Sequence, residues 1–174
     1  MSTLNKPLVS EHFAYVSVHD SLARPLLDEL AYEYSSRYKG LIDVEEIHNE
    51  MLRYPAEAFA PPHGAFVLLL RGGEALAGGA FMRHADAGTA EFKRVWASRK
   101  HRRQGLARRV LAELEAQAAR LGYVRVFLST GPRQPEAIAL YQTSGYTLLS
   151  AHDFGEDEPP GFLFEKYLSK AQTG

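Results

Sequence analysis

The apolar residues of the chain recur in two kinds of pattern, one typical of helices and one typical of buried strands. Spacings of three and four indicate an amphipathic helix, whereas a short continuous apolar run bounded by turn residues indicates a strand. The clearest helical stretch lies between Gly105 and Gly122, and Gly122 is a typical helix stop. Its apolar positions are Leu106, Val110, Leu111, Leu114, Ala118 and Leu121. This spacing predicts one long amphipathic helix.

Three further helices are predicted from caps and spacing. His19-Asp20-Ser21 offers an N-terminal cap for a helix whose apolar positions continue to Tyr34. A second short helix is predicted over 44–52. A third is predicted over 135–144, where Pro135 stands near the start, a position that tolerates proline.

Strand-like runs account for most of the remaining apolar residues. We predict strands over 13–18, 65–70, 75–82, 89–97, 124–128, 145–149 and 161–168. Turn signals at Gly72-Gly73 and Asp86-Ala87-Gly88 join three of them into an antiparallel meander. The strands on either side of the long helix are expected to be parallel, because that helix forms a right-handed crossover. The fold class is therefore mixed, α/β in the sense of α+β, with a mostly antiparallel central sheet flanked by helices.

The composition is ordinary for one globular domain. The chain has 174 residues, of which 45% are hydrophobic and 24% charged, so we expect a single domain over residues 1–174 with a core from about 13 to 168. The net charge of -1 argues against a general nucleic-acid binder. Basic residues between 94 and 109 are unopposed by any acid between Glu91 and Glu113. This local positive charge suits a small polyanion.

Cysteine is absent from the sequence, which excludes disulfides, a thiolate nucleophile and thiolate metal ligands. The seven histidines lack the i, i+4 spacing of a helical zinc pair, so no metal site is expected. Residues 1–10 have no apolar core of signal-peptide length, and no apolar run approaches membrane-spanning length. A cytoplasmic protein without a membrane partner is expected.

A loop rich in arginine opens directly onto the long helix. It reads Arg102-Arg103-Gln104-Gly105-Leu106-Ala107. The first turn of a helix has N–H groups without internal partners and a positive dipole end, so it attracts anions. Gly105 lets the backbone approach a ligand closely, and Arg108 and Arg109 add positive potential. The loop is suited to a diphosphate, although R-x-x-G-x-A alone is a weak pattern.

Two separated motifs carry a resemblance to a known family. One is the arginine-rich loop with its preceding strand, Glu91-Phe92-Lys93-Arg94-Val95-Trp96-Ala97. The other is Pro135-Glu136-Ala137-Ile138-Ala139-Leu140-Tyr141-Gln142-Thr143-Ser144-Gly145-Tyr146. In this order and separation they resemble the GNAT superfamily, the acetyl-CoA dependent N-acetyltransferases. The resemblance implies the GNAT fold, in which parallel strands 4 and 5 splay apart.

The resemblance also implies which residues hold acetyl-CoA. In relatives the fourth strand pairs through its backbone with the pantetheine arm, which here falls on Val95, Trp96 and Ala97. The pyrophosphate would lie in the loop formed by Arg102, Arg103, Gln104, Gly105, Leu106, Ala107 and Arg108. Relatives often carry asparagine where Gln134 stands. Gln134 is therefore a candidate cofactor contact, and a polar helix N-terminus explains it equally well.

Acetyl transfer requires a neutral amine. An alkylammonium with a pKa of ~10.4 costs roughly 4 to 5 kcal/mol to deprotonate at neutral pH, so a base or a water chain is needed. Glu91 is the candidate base, because it lies on the strand that leads to the pantetheine-binding stretch and alternation places it on one face with Lys93 and Val95. The alternative is that Glu91 simply pairs with Lys93 or Arg94.

Tyr141 is the candidate acid. In relatives the tyrosine of the Leu-Tyr pair lies near the thioester sulfur and can protonate the departing thiolate of coenzyme A. The alternative is a core tyrosine that packs beside Ala137 and Leu140.

The leading hypothesis is an N-acetyltransferase that moves an acetyl group from acetyl-CoA directly to an amine of a small molecule or a peptide. A non-catalytic acyl-CoA sensor or interaction domain of the same fold is the alternative. A nucleotide enzyme is disfavoured because G-x-G-x-x-G and G-x-x-x-x-G-K-[ST] are both absent. Many relatives pair through C-terminal elements, so the resemblance allows a homodimer, although no residue here decides it. The sequence does not identify the amine that accepts the acetyl group.

Overall fold

A seven-stranded sheet forms the centre of the computed structural model, which describes residues 10–37, 53–130, 135–152 and 161–168. The strands are β1 (Glu11–Tyr15), β2 (Ala65–Arg71), β3 (Glu74–Arg83), β4 (Thr89–Ala97), β5 (Arg125–Thr130), β6 (Thr147–His152) and β7 (Gly161–Tyr167). The helices are α1 (Arg24–Arg37), α2 (Leu106–Arg120) and α3 (Pro135–Thr143). The strand order is β1-β2-β3-β4-β5-β7-β6.

The pairing of the strands confirms the predicted topology. The β2–β3 and β3–β4 pairs are antiparallel, as the meander required, and β4 pairs with β5 in parallel. The remaining neighbours are antiparallel. The helix predicted over 44–52 lies outside the described residues.

Element boundaries differ from the prediction mainly at turns. The first strand ends at Tyr15 rather than residue 18, because the chain turns where the Asp20 N–H bonds the Ser17 carbonyl. Asp20 is a cap as predicted, because its side chain accepts a hydrogen bond from the Leu22 N–H at 2.9 Å, but the element that it caps is the 3₁₀ turn Ser21–Ala23 that leads into α1. The β6 strand starts at Thr147, two residues after Gly145, whose φ of 88° lies in the left-handed region.

The two faces of the sheet are covered by different helices. On one face α2 and α3 pack through residues that include Val110, Leu114 and Tyr141. On the other face α1 packs through Leu26, together with a 3₁₀ turn at Ala56–Phe59. Burial of apolar surface on both faces explains why β2 is a continuous apolar run.

Two adjacent glycines on β3 let the helices approach the sheet from both sides. A Cβ on Gly79 would lie 2.9 Å from Leu114 Cδ1 of α2, and one on Gly78 would lie 2.8 Å from Leu26 Cδ1 of α1. The Gly78 position is the more constrained, because the same Cβ would lie 2.8 Å from the Val67 carbonyl oxygen, which cannot move aside.

We expect Gly78→Ala to lower the free energy of unfolding by about 2–3 kcal/mol, the cost of overpacking a filled core. Urea denaturation would measure the loss. Gly73→Ala provides the comparison, because it adds the same methyl group in open space at a φ of 81° and so reports backbone strain alone. A loss for Gly78→Ala no greater than that for Gly73→Ala would contradict the expectation.

A charged cluster ties the first strand to α2. Glu11 accepts hydrogen bonds from Arg71 at 2.7 Å and from Arg109 at 2.6 Å. The Arg109 hydrogen bond, followed by that from Arg71, lowers the pKa of the Glu11 carboxyl below its ordinary value of 4.5. A carboxyl whose pKa is lower in the folded state stabilises the fold above its ordinary pKa and loses that contribution as the pH falls through the folded value.

We therefore expect Glu11→Gln to lower the Tm at neutral pH, with a difference from wild type that shrinks as the solution is acidified. Thermal unfolding followed from about pH 7 to about pH 3 would measure it. A difference that stays constant over this range would show that the ionisation of Glu11 is not involved.

Candidate active site

The sheet opens between its two parallel strands. Within the described residues, the parallel ladder joins only Thr89–Glu91 to Arg125–Phe127. Beyond this ladder β5 continues to pair with β7 as far as Thr130, while β4 continues to pair with β3. The two strands therefore diverge, and the cleft between them leaves the β4 backbone without a β5 partner.

A β-bulge lies in the diverging part of β4. Lys93 stands opposite Ala80 and Trp96 stands opposite Gly78, so two β4 residues face the single residue Gly79. Arg94, in the bulge, has a φ of 62°, in the left-handed region.

The bulge changes which face each later side chain occupies. Before it, Phe92 packs on the α2 side and Glu91 lies on the α1 side, opposite Met82. After it, Val95 packs on the α2 side and the buried Trp96 packs against α1. The prediction that Glu91, Lys93 and Val95 share one face is therefore wrong for Val95. The bulge inserts an extra residue, so every side chain after it points to the opposite face from the one that simple alternation predicts.

The arginine-rich loop leads into the N-terminus of α2. Gly105 precedes the helix with a φ of 70°, and a Cβ built there would meet nothing within 4 Å. Glycine is needed at this position for its backbone conformation, and the space beside it is open. The carbonyl of Gly105 accepts from the Arg109 N–H at 3.1 Å, the first turn of the helix. The N–H groups before Arg109 form the helix end that attracts anions.

The arginine side chains near this helix end are engaged by other elements. Arg102 contacts Glu33 of α1, Arg108 donates to Thr143 Oγ1 at 2.9 Å, and Arg109 contacts Glu11. The acids come from distant parts of the chain, so the positive charge that looks unopposed in the sequence is partly neutralised in the fold. The backbone N–H groups, rather than these side chains, are the anion-binding feature that remains.

Tyr141 lies on α3 in the core of the α2 side. Its side chain is 7% exposed and packs between the rings of Tyr146 and Phe164, with centroids 5.6 and 5.7 Å away. Burial raises the pKa of the Tyr141 phenol far above its usual value, because the ionised form would be poorly solvated. Tyr141 therefore carries its proton at physiological pH.

A polar network supports the ring next to Tyr141. The Tyr146 hydroxyl donates to Glu115 at 2.9 Å, and Lys166 donates to the same carboxylate at 2.8 Å and to the Ser144 carbonyl at 3.0 Å. Burial, and then the neighbouring Glu115 carboxylate, raises the pKa of Tyr146. These contacts hold the turn that follows α3 in place.

Glu91 lies between two basic groups on the α1 side. Lys93 Nζ is 3.0 Å from Glu91 Oε2, and His84 Nε2 is 3.7 Å from Glu91 Oε1. His84 Nδ1 accepts a hydrogen bond from the Asp86 N–H at 3.0 Å, so in the neutral ring the proton is on Nε2, which faces Glu91. The pairing of Glu91 with Lys93, which was the alternative to a catalytic role, is present.

The candidate acid and base thus occupy opposite sides of the sheet, and Glu91 lies in the last pair of the parallel ladder, where β4 and β5 separate. Tyr141 belongs to the α2–α3 side and Glu91 to the α1 side. Gln134 lies outside the described residues. Within the described ranges, no group of three or more histidine, aspartate or glutamate residues is arranged to hold a metal ion.

His84, Tyr54 and Glu33 are neighbours of the site that the sequence did not indicate. His84 directly follows β3, Tyr54 precedes a 3₁₀ turn and Glu33 lies on a helix in another part of the chain. For His84, the sequence held one signal, a histidine at the end of the strand that pairs with the strand of the candidate base. Nothing in the local pattern marks Tyr54 or Glu33.

Comparison with known proteins assigns the family. The model of the acetyltransferase (GNAT) family matches residues 27–146. The uncharacterized N-acetyltransferase YsnE of Bacillus subtilis (strain 168) is 30% identical over 135 residues, which are 70% of this chain and 87% of YsnE. The chain belongs to the GNAT family and is an acyltransferase that transfers an acetyl group to an amine.

Solved structures agree with this assignment at the level of the fold. An acetyltransferase of the GNAT family from Staphylococcus aureus Mu50 superimposes with a TM-score of 0.72 at 13% identity, covering 91% of this chain and 100% of that one. The PaiA N-acetyltransferase from Thermoplasma acidophilum, in complex with coenzyme A, superimposes with a TM-score of 0.67 at 16% identity, covering 91% and 99%. Among the helices of the described segments, none is long and apolar enough to cross a membrane.

Proposed function

We propose that this chain binds acetyl-CoA in the cleft between β4 and β5 and passes the acetyl group through the sheet to an amine on the α1 side. The observation that carries the proposal is the separation of β4 from β5 beyond the ladder that ends at Glu91, with Glu91 and Tyr141 on opposite sides of the sheet. A donor bound on one face and an acceptor bound on the other would meet there without a covalent acyl-enzyme. The proposal extends to a single N-acetyltransferase domain that acts in the cytoplasm.

The cleft fits the cofactor in two respects. The edge of Val95, Trp96 and Ala97 that faces away from β3 has no β5 partner, so its backbone offers hydrogen bonds to an amide-containing arm such as pantetheine, as to an added strand. The loop from Arg102 to Arg108 offers N–H groups to a diphosphate, and the open space beside Gly105 admits it. Gln134 stays a predicted contact.

The chemistry follows from the groups on the two faces. Acetyl-CoA supplies a thioester. Glu91, directly or through water, takes a proton from the acceptor ammonium, so that the amine nitrogen can form a bond to the acetyl carbon. The carbon–sulfur bond breaks, Tyr141 gives its proton to the departing sulfur, and the second proton that the nitrogen loses as it becomes an amide returns to the Tyr141 oxygen, directly or through water. The phenol carries its proton at neutral pH, as a donor to sulfur must.

Calorimetric titration with acetyl-CoA, followed by a thiol-release assay over pooled amines, tests the proposal. Binding together with amine-dependent thiol release is the expected result. Binding without release for any amine would favour the non-catalytic sensor. Failure to bind acetyl-CoA would refute the cofactor assignment.

Gly105→Ala tests the cofactor site separately. We expect it to raise the Kd for acetyl-CoA about tenfold or more, because the added methyl group crowds the approach to the helix end. Gly122→Ala is the matched control, since Gly122 follows the other end of α2 with a φ of 94° and equally open space. Both variants should lose similar stability, and only Gly105→Ala should lose affinity. Equal affinities would place the diphosphate elsewhere.

A further inference from the structure

We propose that the acetyl acceptor is an α-amino acid with an apolar side chain, recognised by Lys93 and by the pocket beside α1. The inference rests on the proposed function and concerns the acceptor side of the same site.

The first observation is the ion pair formed by the candidate base. Lys93 Nζ lies 3.0 Å from Glu91 Oε2, and each side chain is only about one-fifth exposed, at 19% and 20%. A purely cationic acceptor that approaches Glu91 must also approach the ammonium of Lys93, which repels it. An acceptor with a carboxylate next to its amine offers an opposite charge to each partner. The pair is therefore complementary to a zwitterion.

The second observation is a pocket that shares Tyr54 with the ion pair. Lys93 Nζ lies 4.8 Å from the centroid of the Tyr54 ring, and Tyr54 lines a pocket of about 340 Å³ between α1 and the 3₁₀ turn at Ala56–Phe59. This volume is within the range of small-molecule sites. Tyr54 is thus a wall shared by the pocket and the charged pair.

The pocket has a mostly apolar lining. Its apolar walls are formed by Val18, Leu27, Ala31, Tyr54, Pro55 and Phe59. Among the described lining residues, Asp28 is the one acidic group, and Arg24 one turn earlier on α1 provides an opposite charge. Among these described lining residues, a polyamine or another polycation would find no excess of negative charge, whereas an aliphatic or aromatic side chain would bury apolar surface.

Together these features place the three parts of one molecule. The ammonium of the amino acid faces Glu91, its carboxylate faces Lys93, and its side chain passes Tyr54 into the pocket. The carboxylate would replace Glu91 as the counter-ion of Lys93, which leaves Glu91 to accept the proton from the amine.

Thiol release measured with amino acids and with their decarboxylated counterparts tests the inference. We expect kcat/KM for phenylalanine and leucine to exceed that for phenethylamine and isopentylamine by at least about tenfold, the effect of one charge-assisted contact. Spermidine should be a poor acceptor. Lys93→Gln should raise KM for the amino acid and leave KM for acetyl-CoA unchanged. The ratio of kcat/KM for the amino acid to kcat/KM for its decarboxylated amine should then be close to one.

Two further variants separate the parts of the site. Lys100→Gln removes an exposed lysine from the loop after β4 and should leave the ratio unchanged. Ala31→Phe fills the pocket, so KM should rise for phenylalanine and much less for glycine.

These assays separate the preference for amino acids from the acetyltransferase activity itself. Thiol release with simple amines or spermidine but without a preference for amino acids would overturn the inference and leave the acetyltransferase function intact. A preference that survives Lys93→Gln would overturn the role of Lys93. Acetyl-CoA binding without thiol release for any acceptor would refute both.

Discussion

Tyr141→Phe is expected to lower kcat by about a hundredfold or more while leaving the affinity for acetyl-CoA unchanged. Loss of a general acid typically costs that much. The phenylalanine ring keeps the contacts with Tyr146 and Phe164, so the fold should be preserved. Steady-state thiol release and calorimetric titration with acetyl-CoA would measure the two quantities.

Tyr167→Phe is the matched control, because Tyr167 is 68% exposed on β7 and the substitution removes the same hydroxyl away from the cleft. Its kcat should equal that of the wild type. If Tyr141→Phe also retained kcat within about twofold, Tyr141 would be a core residue and the proton of the thiol would have to come from water.

Glu91→Gln is expected to lower kcat/KM by about a hundredfold at neutral pH. This deficit, the ratio of the wild-type to the variant kcat/KM, should become smaller as the pH rises. The amide has the shape of the carboxylate but cannot take a proton. At high pH a growing fraction of an amine with a pKa of ~10.4 is already neutral and needs no base. A pH–rate profile for wild type and variant with one amine would measure the change in the deficit.

Glu165→Gln is the control for this experiment. Glu165 is a carboxylate of the same 20% exposure, paired with Arg125 at 2.6 Å on the neighbouring strands β7 and β5. Its removal should change stability without changing the slope of the pH–rate profile. A Glu91→Gln deficit that is the same at every pH would show that Glu91 binds or orients the acceptor and does not accept its proton.

The elements that carry the fold were predictable because their signals are local. The apolar spacing of α2 and the glycines at its two ends depend on neighbouring residues alone, and β4 was predicted with the bounds that it has. The parallel pair followed from the crossover rule. Tyr141 was singled out only through the family resemblance, whereas the α2 loop was proposed from the chemistry of a helix N-terminus and became more specific through the resemblance.

The site was less predictable because its geometry depends on distant residues. Arg102 contacts Glu33, an acid on α1 that precedes it by 69 residues in the sequence. The face of Val95 depends on the bulge at Arg94, which a simple alternation rule does not include. Tyr54 reaches Lys93 across the fold, and its surroundings along the chain give no sign of this contact.

The extra residue in β4 makes the length of this strand a requirement of the fold. Removing Arg94 would restore strict alternation and turn the indole of Trp96 towards α2, where Gly79 leaves no room even for a methyl group. Val95 would point towards α1, where its smaller side chain could not fill the space that the indole of Trp96 occupies. An insertion or deletion in β4 would therefore destabilise the fold more than most substitutions would. Related chains should keep a residue at position 94, although the type of that residue can vary.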